Sequence, residues 1–323
     1  MDISIYQDSF HTYLHAQDLD REPKNLYQPM AYILQLGGKR IRPVLTLMAA
    51  DLFSGNYNDA LPAAFAVEVF HNFTLVHDDI MDDAPLRRGA TTIHEKWNLN
   101  TGILSGDAML ILAYQYFENY PPAVFQRLAK LFSKTALEVC DGQQLDVDFE
   151  TRTDVSIPEY IHMISLKTSV LVAAALKMGA IVAAVSEEQA QHLYKYGLDL
   201  GIAFQLQDDY LDTFGNPETF GKQVGGDIIE NKKTYLYLKT LALASPEDAA
   251  TLQELYAEKR TENTEKIATV KAIFTKNNIA QHLQEQIALY TQKAFENIAQ
   301  LTIPSDKKQQ FIHFGNNLMS RDI

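Results

Sequence analysis

The chain has 323 residues, 46% apolar and 21% charged, with a net charge of −13 and one cysteine, Cys140. This is the balance of a globular protein with a sizeable core. Its acidity and lack of a basic run exclude nucleic acid as an expected partner, and a lone cysteine excludes an internal disulfide and fits a reducing compartment. The opening MDISIYQDSF has no apolar signal core. The most apolar stretch, 170–185, is interrupted by Lys177 and is shorter than the roughly 20 residues of a membrane span. The expectation is a cytoplasmic protein without a transmembrane segment.

Period-two alternation of β-branched residues is nearly absent, so helices are expected throughout. Amphipathic helices are predicted over 2–16 and 24–36, separated at Pro23. Gly37 and Gly38 end the second, and Pro43 stands near the first turn of a third, which closes at Gly55 and Asn56. Asn58 or Asp59 with Pro62 opens a long helix reaching about Asp83. Its residues 61–76 are apolar on nearly every side and are expected in the middle of the core. Pro85 and the polar LRRGATT follow as a loop, before helices over 102–118, 122–150, 157–184 and 187–213, with breaks at Pro121, Pro158 and Ser186. Residues 214–230 hold Gly215, Pro217, Gly221, Gly225 and Gly226 and read as a long loop, a length that is usually functional. Lysine-rich helices return beyond 231. No linker or solenoid repeat divides the chain, so the expectation is one all-α domain over residues 1–323.

The chemistry concentrates in 70–83, FHNFTLVHDDIMDD, which ends in Asp78, Asp79, Asp82 and Asp83. On a helix, Asp78 and Asp82 lie one turn apart on one face and repel each other unless a cation binds them. Several hard carboxylate oxygens with an open face suit magnesium, which keeps waters and bridges to substrate phosphates. Residues 204–212, FQLQDDYLD, repeat that spacing with Asp208, Asp209 and Asp212, again at the end of an apolar helix. One such cluster reads equally well as a solvated helix end. Two of identical spacing point to facing carboxylate walls, with metal ions and a diphosphate held between them. Phosphate-type cations recur in loops and helix starts: Lys39, Arg40 and Arg42 in GGKRIRP, Arg87 and Arg88 in LRRG, Lys167 beside Thr168, Lys222 in GKQVGGD, and Lys232 and Lys233 in NKKTY. Each alone is a surface cation. Arginine pairs match phosphate oxygens two at a time, and glycines beside lysine let backbone amides approach an anion. GGKR lacks the GxxxxGK[ST] spacing of a Walker loop, so nucleotide binding is not expected.

The series GGKRIRP, HDDIMDDAPLRRG, GQQLD, KTS, FQLQDDYLD and GKQVGGDIIENKKTY resembles the trans-type isoprenyl diphosphate synthases, the group of farnesyl and geranylgeranyl diphosphate synthases. The resemblance spans about residues 30–240. It implies an all-α domain of about ten core helices around a deep cavity, usually a homodimer. It implies magnesium as cofactor, about three ions per site, with Asp78, Asp82 and Asp208 as direct ligands and Asp79, Asp209 and Asp212 assisting. Arg87, Lys167, Thr168, Gln205, Lys222 and Lys232 would hold the allylic diphosphate, with Gln143 of GQQLD nearby. Lys39, Arg42, His71 and Arg88 would hold isopentenyl diphosphate, and Arg321 would close over it. The implied reaction ionises the allylic diphosphate, adds isopentenyl diphosphate head to tail and loses a proton, with no protein nucleophile.

In this family the residues before the first aspartate form the floor that limits product length, here Phe70, Phe73 and Thr74. Phe73 with a small Thr74 resembles geranylgeranyl (C20) synthases, and farnesyl (C15) diphosphate is the alternative product. On an ideal wheel Thr74 lies roughly 40° from Asp78, Phe70 roughly 80° and Phe73 roughly 140°, which leaves Phe70 as a competing floor. Two Glu-x-x-His pairs, Glu68/His71 and Glu159/His162, match the pattern of di-iron bundles but leave both aspartate clusters unexplained. A non-catalytic prenyl synthase subunit is the other alternative, and both motifs are intact here.

Overall fold

The proline and glycine punctuation resolves, in a computed structural model describing residues 3–216, 224–257 and 263–320, into an all-α chain that is 80% helical. The first helices are α1 (Ser4–His15), α2 (Lys24–Gln35), α3 (Ile41–Ser54) and α4 (Leu61–Met81). A minimal hairpin, β1 (Leu86–Arg87) and β2 (Ala90–Thr91), leads to α5 (Ile93–Lys96), α6 (Leu99–Phe117) and α7 (Pro122–Thr151). Then come α8 (Ile157–Ile164), a π turn (Ser165–Ser169), α9 (Val170–Val182) and α10 (Glu187–Phe214). The chain closes with α11 (Gly226–Ile229), α12 (Tyr235–Leu243), α13 (Pro246–Ala257), α14 (Thr264–Lys276), α15 (Ile279–Ala299) and α16 (Ser305–Met319). Two compact units emerge, one of Met1–Lys134 with Ala174–Leu193, the other of Thr135–Ala173 with Tyr194–Ile323.

In the first unit α4 is buried from Ala63 to Phe70 on every side, as a run that is apolar except for Glu68 requires. Pro62 sits in its first turn, and the Tyr120 hydroxyl fixes that end, accepting from Ala63 N at 3.0 Å and donating to Asp59 O at 2.9 Å. Buried Gly102 and Gly106 let α6 approach α4 closely: a Cβ on Gly106 would stand 2.3 Å from His77 Nε2.

The second unit has its own core, in which Leu206, Leu252, Val270, Ile279 and Leu283 are fully buried. Gly142 of α7 and Gly201 of α10 make room for the π turn, since a Cβ on Gly142 would stand 2.2 Å from Lys167 N. A capping box, Ser156 with Glu159, starts α8, and Lys233 Nζ binds the carbonyls of Phe149 (2.6 Å) and Glu150 (3.0 Å) near the end of α7.

Four local expectations are corrected. The helix predicted to reach about Asp83 ends at Met81, where Asp82 is the C-cap and Asp83 turns the chain at φ +49°. The loop after it pairs as a hairpin whose two-residue turn, Arg88 and Gly89, takes positive φ at both positions (54° and 77°), the geometry that matches strand twist. The stretch 214–230 is not all loop, because α11 forms within it. The apolar segment is also longer than its sequence suggested. Ile157–Val182 runs as 26 helical residues, long and apolar enough to cross a membrane, yet 72% of its most apolar window is buried inside the protein.

Candidate active site

In the first unit the aspartates sit at the C-terminal end of α4, where the helix dipole already disfavours negative charge. Asp79 turns inward and is almost fully buried, whereas Asp78 is half-buried and Asp82 exposed. Arg87 explains the difference. Its Nε donates to Asp79 Oδ1 at 2.8 Å, its Nη2 reaches the same oxygen, and Asp78 Oδ2 lies 3.7 Å from Nη2. Burial pushes the Asp79 carboxyl above its ordinary value and Arg87 opposes that shift. Asp78 and Asp82 stand nearer solvent than Asp79, at the i, i+4 spacing expected from the sequence.

Beside them the same unit gathers a cationic wall. Arg42 Nη1 donates to His71 Nε2 at 3.2 Å, which makes that ring nitrogen an acceptor. Burial, then the charges of Arg42, Arg88, Arg40 and Arg87, push His71 well below its ordinary value, so the ring is neutral. Arg88 Nη1 donates to Leu36 O at 3.2 Å, and Gly38 admits its guanidinium, 3.2 Å from where a Cβ would stand. Arg40 instead has a structural task. It takes φ +48° before α3, binds the buried Glu68 carboxylate and donates to Leu34 O (2.5 Å) and Leu36 O (2.8 Å). Lys39 precedes it in the same turn. Arg42, His71 and Arg88, expected from separate segments, thus belong to one electrostatic cluster.

Further down α4, Phe73 is 9% exposed and packs against His77 (ring centroids 4.8 Å apart), while Phe70 is fully buried. Phe70 touches Phe73 at 5.4 Å and Phe132 of α7 at 5.0 Å, and Phe132 also meets Tyr114 and Phe117 of α6. Thr74 is partly buried and spends its hydroxyl on His71 O at 2.8 Å. Phe70 and Phe73 thus belong to an aromatic stack across three helices, of which only the α4 members were expected from the sequence. Sequence offered no signal for Phe132, 62 residues away from Phe70 by their numbers.

The second unit repeats the first motif's arrangement. Asp208 and Asp212 are half-buried, whereas Asp209 is buried and held by the Tyr160 hydroxyl and by Gln205 Nε2 at 3.2 Å. Burial and then the Asp227 charge push Asp209 well above its ordinary value, and the two hydrogen bonds oppose this. Thr168 Oγ1 donates to Gln205 Oε1 at 3.2 Å, so KTS and FQLQDD form one hydrogen-bonded chain. Lys167 Nζ binds Asp146 Oδ2 at 2.6 Å. Asp227 N donates to Asp212 Oδ2 at 3.0 Å, and Lys232 Nζ lies 2.9 Å from Glu230 Oε2. Burial would lower the Lys232 ammonium, but Glu230, Asp227 and Asp146 raise it well above its ordinary value. Gln143 lies on α7, half-buried, next to Gly142. Lys222 and Arg321 lie outside the described residues.

Three residues of this half were missed: Tyr160, Asp146 and Asp227. Asp146 closes GQQLD and Asp227 closes VGGD, so both stood within quoted motifs, whereas nothing in the sequence around Tyr160 signalled its bond to Asp209. The Glu-x-x-His pairs do not act as iron ligands in this arrangement. Glu68 holds Arg40 and Asn72, and Glu159 caps α8 and pairs with Arg152 at 2.8 Å.

An all-α chain with two aspartate-ended helices, and arginine and lysine side chains gathered beside each, is built for a polyanionic ligand. The sequence matches the polyprenyl synthetase family over residues 23–274, and the chain belongs to that family. A geranylgeranyl diphosphate synthase of Methanosarcina mazei is 43% identical over 247 residues, 74% of this chain and 76% of its own. A geranylfarnesyl diphosphate synthase of Natronomonas pharaonis is 41% identical over 236 residues, covering 68% of this chain and 69% of its own. A crystal structure of geranylgeranyl pyrophosphate synthase superposes with a TM-score of 0.95 at 54% identity and covers 100% of both chains.

Proposed function

We propose that the chain is a prenyltransferase that condenses isopentenyl diphosphate with an allylic diphosphate and releases geranylgeranyl diphosphate. One observation carries the reading. In both DDxxD motifs the second aspartate is buried and pinned by a neighbouring donor, Arg87 for Asp79 and Tyr160 with Gln205 for Asp209. The first and last aspartates, Asp78 with Asp82 and Asp208 with Asp212, are left nearer solvent at the i, i+4 spacing. Burying the second aspartate fixes which face of each helix end is turned outward, so the first and last aspartates, one turn apart, offer an oxygen pair on that face to a hard, octahedral cation. We take that cation to be magnesium, about three ions per site, held by Asp78, Asp82 and Asp208 with Asp212 assisting.

When bound, magnesium supplies charge withdrawal from the allylic diphosphate as its carbon–oxygen bond breaks. The protein does the rest. Arg87, Lys167, Lys232 and, by its motif, Lys222 neutralise the departing diphosphate, and Thr168 and Gln205 orient it. Neutral His71 with Arg42, Lys39 and Arg88 holds isopentenyl diphosphate so that its double bond faces the ionised carbon. A new carbon–carbon bond forms there, and the proton lost in making the product double bond passes to the released diphosphate. Aromatic and aliphatic walls exclude water from the allylic cation. We take residues 1–323 to be one catalytic domain, acting in the cytoplasm as a homodimer.

The test is incubation with radiolabelled isopentenyl diphosphate and dimethylallyl, geranyl or farnesyl diphosphate, followed by chromatography of the dephosphorylated products. Asp78→Ala and Asp208→Ala should each lower turnover by at least about a thousandfold with the helical circular dichroism unchanged. Near-normal product from either variant in the presence of magnesium would overturn the assignment.

A further inference from the structure

Just past the first aspartate motif stands a second group of metal-type ligands that the prenyl-transfer reading does not use. Asp83 turns the chain at φ +49° after α4, and His94 and Glu95 lie in α5 on the far side of the hairpin. One ligand atom from each of Asp83, His94 and Glu95 lies within 4.8 Å of the others, and His94 Nε2 is 3.8 Å from Glu95 Oε1. Acidic residues alone would mean little, because Asp83 and Glu95 are exposed.

His94 supplies an independent reason. Its side chain is only 8% exposed, and both ring nitrogens are buried without a hydrogen-bonding partner among the described residues. An imidazole has at least one N–H and one lone pair to satisfy, and burying both unmet is costly unless something binds. Here the ring reaches toward two carboxylates, those of Asp83 and Glu95.

We infer that Asp83, His94 and Glu95 form a divalent-metal site separate from the diphosphate site and selective for zinc-type ions. An imidazole nitrogen favours zinc over magnesium, whereas the DDxxD carboxylates offer magnesium the oxygen-only set it prefers. A zinc ion about 2.1 Å from each donor separates donors by roughly 3.4 Å, so small side-chain adjustments close the site and leave a coordination position for water. Its location suggests its use. Asp83 and His94 flank residues 84–93, which carry Arg87 and Arg88, and this segment is already drawn together by Thr92 Oγ1 donating to Ala84 O at 2.8 Å. An ion there would clamp the base of the hairpin and steady both arginines.

The test uses the full-length protein, stripped by chelator and titrated with zinc calorimetrically in saturating magnesium, with melting temperature followed in parallel. The expected result is one high-affinity zinc equivalent per chain and a raised melting temperature. His94→Gln should weaken that binding at least about a hundredfold. Asp83→Asn combined with Glu95→Gln, both exposed and so harmless to the fold, should do the same, while Asp78→Ala should leave it intact. Undiminished zinc binding by the His94 and the double variants, or no zinc binding in magnesium, overturns the proposal.

Discussion

Asp79 and Asp209 each occupy the second position of an acidic motif, and each has given up its exposure for a fixed hydrogen bond within its own unit. The motif spacing was legible because carboxylates one turn apart repel and call for a cation. The partners were not, since Tyr160 precedes Asp209 by 49 positions and no periodicity links them. Asp199 illustrates what burial does away from any motif. Burial raises its carboxyl to about 6, with Asn297 Nδ2 3.4 Å away. A folded-state value above the unfolded one means that stability is fully present below about pH 4, then falls as pH rises through about 6. Asp199→Asn should therefore match the parent protein near pH 4 and be more stable from about pH 6 upward, as urea unfolding at the two pH values would reveal. Equal stability at both would refute this. The floor allows a second residue-scale test. Phe73 is the more accessible ring and Phe70 is locked against Phe132. Phe73→Ala should shift the product distribution beyond C20. Phe70→Ala should chiefly destabilise, by about 3–5 kcal/mol, by opening a cavity in the stack. An unchanged chain-length distribution in the Phe73 variant would transfer the limiting role to Phe70 or to Phe132.

At the scale of elements, helix positions followed directly from prolines, glycines and apolar runs. Predicted 24–36, 122–150 and 187–213 became Lys24–Gln35, Pro122–Thr151 and Glu187–Phe214. What sequence periodicity could not express is the π turn at Ser165–Ser169, because its cause lies on other helices. Gly142 on α7 and Gly201 on α10 leave the space into which SLKTS bulges, and that bulge sets where Lys167 and Thr168 stand. The hairpin was likewise hidden, since each strand has only two residues and an arginine rather than the usual asparagine opens its turn. Gly142→Ala tests the first point. The added Cβ would lie 2.2 Å from Lys167 N and 2.7 Å from Lys167 Cα, which are backbone atoms that cannot swing aside. The expected result is a loss of about 1–3 kcal/mol of stability and a weaker KM for the allylic diphosphate than for isopentenyl diphosphate. Unchanged melting and equal KM values would mean that the turn yields freely.

For the molecule as a whole, the proposed homodimer has to overcome a net charge of −13 on each chain. Like-charged partners repel at low ionic strength, so a dimer of this protein must rest on apolar surface. Helix α6 offers such surface: Leu99 is 52% exposed, Leu104 59% and Ile111 58%. Leu104 and Ile111 are seven residues apart and so share one face. Large apolar side chains repeating along a helix face are what a partner would cover, at roughly 1.5–3 kcal/mol for each chain fully buried. Two consequences separate this from ordinary surface apolarity. Added salt should tighten the dimer in sedimentation velocity, because screening removes repulsion without weakening apolar contact. Leu104→Glu with Ile111→Glu should produce a helical monomer, because each introduced carboxylate would be buried against a second copy of itself. A dimer that persists in the double variant would place the interface elsewhere, and a parent protein that sediments as a monomer at every salt concentration would remove the dimer altogether.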